Sequence, residues 1–211
     1  MYWKFLRGGA HSPFTGFSWA SRGGVWVTAD AAELCIQGIH ACRIADLPYW
    51  LSDELWEIEL ADPVREGEDK VVGSRARLVG RVVDWTEQMQ RDLSEGCVRR
   101  TGLHAAEELR ASGLSEEAAA LEAGSLAELS AVVVAIAGRL PGRASRAAVK
   151  LCGYLQDAIE MVDVYPVATI AYIAARAANQ RSGPAATNYY VLEREWQSGW
   201  LAENLRLAAD L

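Results

Sequence analysis

The sequence predicts an α+β fold: a small antiparallel aromatic-rich sheet domain followed by an Ala-rich antiparallel helical bundle. Three observations predict it. Residues 1–85 hold six of the eight Trp and all three Phe of this 211-residue chain, with glycines between short β-branched runs. Residues 86–211 contain no Phe and are rich in the helix formers Ala, Leu, Glu and Arg. The hydrophobic period changes from 2 to 3.6 at Trp85. The expected domains are therefore 1–85 and 86–211.

In the first half, Tyr2–Leu6 reads as a strand closed by Gly8-Gly9. A glycine-punctuated segment leads to a short strand, Val25–Thr28. Thr28 or Asp30 then caps a short helix, Ala31–Cys35, which Gly38 breaks. Ile39–Cys42 reads as a buried strand. Asp46-Leu47-Pro48 opens a helical turn with Asp46 as its N-cap. Leu55–Leu60 alternates, with Trp56, Ile58 and Leu60 on one face and Glu57 and Glu59 on the other. Lys70–Trp85 reads as one long strand or a bent pair.

In the second half, Thr86 caps a helix to about Cys97, and another covers Gly102–Ala111. Ser115 opens a third, which ends at Gly124. Ser125 caps a fourth, with a stripe of Leu126, Leu129, Val133, Ile136 and Leu140. Ser145–Val164 and Pro166–Gln180 follow. After a turn at Ser182-Gly183-Pro184, a last helix from about Thr187 places Tyr189, Leu192, Trp196 and Trp200 on one face. Short connections imply antiparallel neighbours.

Composition narrows the function classes. Hydrophobic residues at 51% and charged residues at 23% are globular values, which excludes a disordered chain. A formal charge of −7 disfavours a nonspecific grip on nucleic acid. The longest apolar run, Val132–Ala137, is far short of a membrane span. The N-terminus has no apolar signal core, and the four Cys form no C-x-x-C pair. A cytoplasmic chain with reduced thiols and no membrane partner is expected.

Candidate chemistry gathers before Trp85. His40 and Cys42 lie two apart on a strand and share a face; they are either a base beside a thiol or a core His next to an inert Cys. Glu57 and Glu59 likewise share a face; they either bind a hydroxyl and act as acid and base, or form a solvated strand surface. Arg7 before Gly8-Gly9 either holds an anion or is an ordinary surface Arg. Trp19, Trp26, Tyr49 and Trp50 either line a cleft or form core. In the bundle, Asp157, Glu160 and Asp163 recur every third residue and His104 precedes Glu107. With a single bundle His and no Glu-x-x-His, no metal site is expected.

Gly38-Ile39-His40-Ala41-Cys42, Asp46-Leu47-Pro48-Tyr49-Trp50-Leu51 and Leu55-Trp56-Glu57-Ile58-Glu59-Leu60 together resemble a block found in actinobacterial and phage proteins. This resemblance covers about the first 85 residues and carries no activity with it. Leu6-Arg7-Gly8, Phe17-Ser18-Trp19 and Glu57-Ile58-Glu59 also resemble, in order, motifs of the ADP-ribosyltransferase fold. That resemblance implies NAD as cofactor, Arg7 on its phosphate, Ser18 supporting the nicotinamide pocket and Glu59 on the ribose. Two departures stand out: Ser18 lacks the Ser-Thr-Ser surround, and the span from Arg7 to Glu59 is short.

Two functions follow as expectations. One is a transferase-like or other enzyme that takes a small polar, anionic or nucleotide-like molecule in a cleft of the N-terminal half. Its catalytic residues would be His40, Glu57 and Glu59, and its binding residues Arg7, Ser18, Trp19, Trp26, Cys42, Tyr49 and Trp50. The other is a non-catalytic partner subunit, homo- or hetero-oligomeric, packing through the helical half.

Overall fold

The structure is a computed structural model that describes residues 1–19, 23–140, 142–182 and 188–207. Its architecture is α+β: antiparallel sheets in the N-terminal part, then helices. The chain divides into two compact units, Met1–Met89 with the segment from Trp196 onward, and Gln90–Glu195.

In the first unit, β1 (Tyr2–Leu6) pairs antiparallel with β4 (Glu54–Leu60), from Tyr2 opposite Ile58 to Leu6 opposite Glu54. On its other side β4 pairs with β7 (Arg75–Arg81), which carries β2 (Val27–Thr28). Glu57 faces Gly80 while Ile58 faces Leu78, so Val79 is an extra residue on β7, a bulge. A second sheet joins β3 (Ile39–Ala41), β6 (Val71–Gly73) and β5 (Arg65–Glu66).

These two sheets are one closed path. Strands β6 and β7 are consecutive and turn at Ser74, so the expected Lys70–Trp85 strand is a bent pair serving both sheets. Across the ring, Trp3 and Cys42 exchange both backbone hydrogen bonds, at 2.9 and 2.7 Å, tying β3 to β1. The ring β1–β4–β7, bend, β6–β3–β1 is a small barrel. Leu6, Ile39, Ala41, Ile58, Val71, Ala76 and Leu78 fill its core, together with Trp19.

Strand β4 decides what the sheet offers outward. Trp56, Ile58 and Leu60 pack on the core, as the alternation requires. The reverse face changes character along its length: Trp3, Phe5 and Leu55 are buried at one end, and Phe5 meets Trp85 edge-to-face at 5.6 Å. At the other end Glu57 is half-buried and Glu59 exposed.

Two local expectations change. Ala31–Cys35 is not a helix; Glu33 and Gln37 exchange backbone bonds at 2.7 and 3.0 Å, a hairpin-like loop closed before Gly38. Gly38 has φ +121°, and a Cβ there would lie 2.6 Å from Val72 Cγ2, so only glycine fits. Asp46 is not the cap residue: Arg43 precedes a 3₁₀ turn over Ile44–Tyr49, and the buried Asp46 Oδ2 accepts the backbone N–H of Arg43 at 3.0 Å and its Nε at 2.7 Å. An Arg–carboxylate fork replaces the simpler cap.

The helices are α1 (Glu87–Ala111), α2 (Ser115–Ala123), α3 (Leu126–Ala137), α4 (Arg146–Glu160), α5 (Val164–Ser182) and α6 (Tyr189–Asn204). Helix α1 is continuous where the sequence predicts two helices. Gly102 does not break it; a Cβ there would sit 3.8 Å from Leu155 Cδ2, an ordinary van der Waals distance. Thr86 Oγ1 accepts the Met89 N–H at 3.2 Å, Ser125 and Glu128 form a capping box, and Ser145 Oγ accepts the Ala148 N–H at 3.0 Å. Leu129, Val133, Ile136 and Leu140 are buried, and Leu126 is half-buried. In the second unit α2, α3, α4 and α5 each pack on the next. Part of the expected Ser182-Gly183-Pro184 turn and Thr187 lie outside the described residues. No described helix is long and apolar enough to cross a membrane.

The last helix is polar on its buried side. Glu193 and Gln197 are fully buried, while Leu192 is exposed and Tyr189, Trp196 and Trp200 are not all on the buried face. Glu193 is satisfied by Arg100, whose Nε donates to Glu193 Oε2 at 2.6 Å.

Candidate functional site

The bulge at Val79 and the change of face along β4 leave an open groove of about 570 Å3 beside β4 and β7. Met1, Tyr2, Glu57, Glu59, Arg77 and Val79 are among the residues that line it. Glu59 Oε2 accepts from Arg77 Nε at 2.7 Å, and Arg77 Nη2 lies 2.6 Å from the same oxygen. Trp26 braces that guanidinium from beside the strand: Arg77 lies 5.1 Å and Arg75 4.7 Å from its ring centroid. Among the described residues no cation or hydrogen-bond donor pairs with the Glu57 carboxylate. The groove thus presents one open carboxylate beside one that an Arg already holds.

Neither His40 nor Arg7 lines this groove. His40 is half-buried on β3, its Nε2 accepting the Cys35 N–H at 3.3 Å, so that nitrogen carries no proton. Burial lowers the His40 pKa, and the Lys4 and Lys70 charges lower it further. Lys4 Nζ donates to the His40 carbonyl at 2.6 Å. Burial also brings Lys4 down to about 8. For Cys42, burial pushes the thiol up to about 12 despite the Lys4 charge. Of the two alternatives for this pair, the buried Cys42 and the His40 ring bonded to the Cys35 N–H fit a core His next to a core thiol.

The aromatic residues do not share a cleft either. Trp19 is 2% exposed and donates from Nε1 to Ser12 Oγ at 3.0 Å. Tyr49 and Trp50 are half-buried at the end of the 3₁₀ turn. Trp50 donates to the Asp69 carbonyl at 2.7 Å, and Lys70 Nζ lies 4.7 Å above its ring. Trp26 alone of the four stands beside the groove, through Arg77.

Arg7 and Ser18 are exposed on the loop after β1, each bridged through its backbone to His11. The glycine turn beside Arg7 is already occupied: the Gly8 N–H donates to Asp53 Oδ2 at 2.8 Å and the Gly9 N–H to Glu54 Oε1 at 3.1 Å. Donors that would greet an anion are used by the chain's own carboxylates. Arg7 and Glu59 also lie beyond opposite ends of the β1–β4 pair, which spans five residues in register, roughly 20 Å apart at about 3.3 Å per residue. A diphosphate and its adjoining ribose are much closer together, so these two residues are not placed to share one.

Two residues that matter here escape a reading of the sequence. Arg77 pairs with Glu59 across 18 residues, and nothing local signals it. Glu54 is buried, accepts the Trp56 Nε1–H at 2.9 Å, and lies 3.7 Å from Arg81. Its place two residues before Trp56, hence on the same face, is the available signal. Among the described residues no three His, Cys, Asp or Glu side chains come together as a metal-binding group, and the four cysteines form no disulfide. No protein-family model matches the chain, and neither the curated proteins nor the solved structures compared with it give a match.

Proposed function

We propose that the N-terminal unit is a binding module for a small, polar, positively charged molecule, taken up in the groove between Glu57 and the Glu59–Arg77 pair. The observation that carries this reading is that both carboxylates of the Glu-Ile-Glu segment line one open space of about 570 Å3, within the usual range of small-molecule sites. The open Glu57 carboxylate, beside a Glu59 already held by Arg77, favours a cation over the anionic or nucleotide-like ligand expected from the sequence. The net charge of −7 adds long-range attraction of the same sign. Glu57 would meet the ligand's charge directly, and Glu59, held by Arg77, would orient its polar end. Among the described residues lining the groove there is no His, Cys, Ser or Thr, which supports binding rather than catalysis.

The test is a thermal-shift screen of amines and guanidines beside NAD and nucleotides, on the parent and on Glu57→Gln and Glu59→Gln. Cationic compounds stabilise the parent and lose their effect on Glu57→Gln. Stabilisation by nucleotides instead, undiminished by either substitution, contradicts the reading.

A second reading, a partner subunit docking through its helices, is supported by the apolar Met161, Val162 and Tyr165 at the α4–α5 junction. Val162 is 94% exposed there. Its test is the mass of the chain in solution, alone and with Val162→Glu. An oligomer that the substitution dissociates supports it, and a parent chain that stays monomeric contradicts self-association.

A further inference from the structure

A second, smaller cavity of about 230 Å3 opens beside the barrel core, lined by Trp19, Trp56, Glu54 and Leu78 with the Gly9 turn. The Glu54 side chain is only 10% exposed, and it is set in place before any ligand arrives. Gly9 N–H and Trp56 Nε1–H, both neutral donors, hold one oxygen each. Their bonds satisfy the carboxylate without cancelling its charge. Among the described residues the cation paired with it is Arg81, whose Nη1 stands 3.7 Å away on a side chain 48% exposed, beyond hydrogen-bond length. A buried anion therefore sits in a space walled by two indoles, with one loosely held guanidinium at its rim.

We infer that this cavity is a binding site for an alkylated ammonium headgroup, with Glu54 supplying the countercharge and Trp19 and Trp56 the aromatic walls. The chemistry selects that class. A bare ammonium is strongly hydrated and gives up its water reluctantly, whereas a quaternary one presents methyl groups and still carries full charge. Indole is the best aromatic partner for such a cation, and the attraction grows when the site excludes water. The volume lies below the range of drug-sized pockets, which fits a headgroup of a few heavy atoms rather than a whole cofactor. The inference does not rest on the groove at Glu57, since neither groove carboxylate lines this cavity.

The experiment titrates the full chain with choline and, separately, with its neutral carbon isostere dimethylbutanol, following binding by calorimetry and the indole N–H resonances by NMR. Choline saturates and moves the Trp19 and Trp56 indole signals, while dimethylbutanol binds at least about tenfold more weakly. Glu54→Gln weakens choline at least about tenfold, and Arg81→Gln, which removes the competing guanidinium from an exposed position, tightens it. The Trp19 and Trp56 indole shifts report this cavity and not the groove, whose lining holds neither residue, which separates the two sites. Equal binding of choline and dimethylbutanol, no saturation, or shifts confined to other tryptophans overturns the inference. Should Glu54→Gln not fold, Arg81→Gln decides alone: unchanged or weaker choline binding overturns it.

Discussion

Glu59 Oε2 receives two nitrogens of one guanidinium, Arg77 Nε at 2.7 Å and Nη2 at 2.6 Å, on adjacent antiparallel strands. The pair fixes one wall of the groove and leaves Glu57, two residues earlier, as the open carboxylate. Both side chains are over 40% exposed, so the pair positions groups more than it stabilises the barrel. Exposed pairs contribute about 0.2–1 kcal/mol. Arg77→Gln is therefore expected to lower stability by no more than about 1 kcal/mol in chemical denaturation, while strengthening uptake of a dication such as diaminobutane. A large loss of stability would mean that the pair supports the sheet instead.

The thiols should separate by burial. Cys35 is exposed and Cys42, Cys97 and Cys152 are buried; burial raises Cys42 to about 12 and Cys152 to about 11. One thiol per native chain is expected to react quickly with an aromatic disulfide reagent at mild alkaline pH. Cys35→Ser should remove that phase, and the remaining thiols should appear only on unfolding. A fast phase that survives Cys35→Ser would show that one of the buried thiols is reactive after all.

Stability should fall on mild acidification through His104. Burial, aided by the Arg100 charge, lowers its pKa from 6.5 to about 4, with its ring edge-on to Tyr189 at 5.5 Å. Above pH 6.5 the ring is neutral in both states and nothing is lost. Between pH 6.5 and about 4 the unfolded chain takes up a proton that the folded one refuses, so stability declines as pH falls. The loss is about 2–3 kcal/mol once partial exposure is allowed for. His104→Gln should flatten that part of the profile, leaving the smaller slope from His40, whose pKa is also lowered. An unchanged slope would assign the loss to other groups.

Gly38 leads directly into Ile39 and His40 of β3. Its φ is +121°, and a Cβ at that position would fall 2.6 Å from Val72 Cγ2, which leaves no room for a side chain. Gly38→Ala is expected to cost about 2–4 kcal/mol, seen as an early urea midpoint. A cost below about 0.5 kcal/mol would show that the loop shifts freely.

What the residues reveal on their own is what local period carries. The alternation over Leu55–Leu60 places Ile58 inward and Glu59 outward, and Ser125 and Ser145 announce their helices as caps. Long-range pairing is what they conceal. The Trp3–Cys42 bridge that closes the barrel joins residues 39 apart in sequence, and the Arg77 partner of Glu59 lies on another strand. The continuity of α1 through Gly102, where the sequence predicts a second helix to begin, is equally hidden. The α6 face that the sequence marks out is aromatic; its buried face is polar, with Arg100 on α1 placed to satisfy Glu193. At the candidate site, residue type is visible in the sequence, but the separation of Arg7 from the groove depends on the register of β1 and β4.

A calorimetric titration of the chain with agmatine, which carries both an amine and a guanidinium, set against ADP at the same ionic strength, decides whether the Glu57 groove is a cation site. Saturable binding of agmatine is expected, weakened about tenfold or more in Glu57→Gln, fading with added salt, and with no counterpart for ADP. Binding of ADP with no response to agmatine, or agmatine binding unchanged in Glu57→Gln, would contradict it.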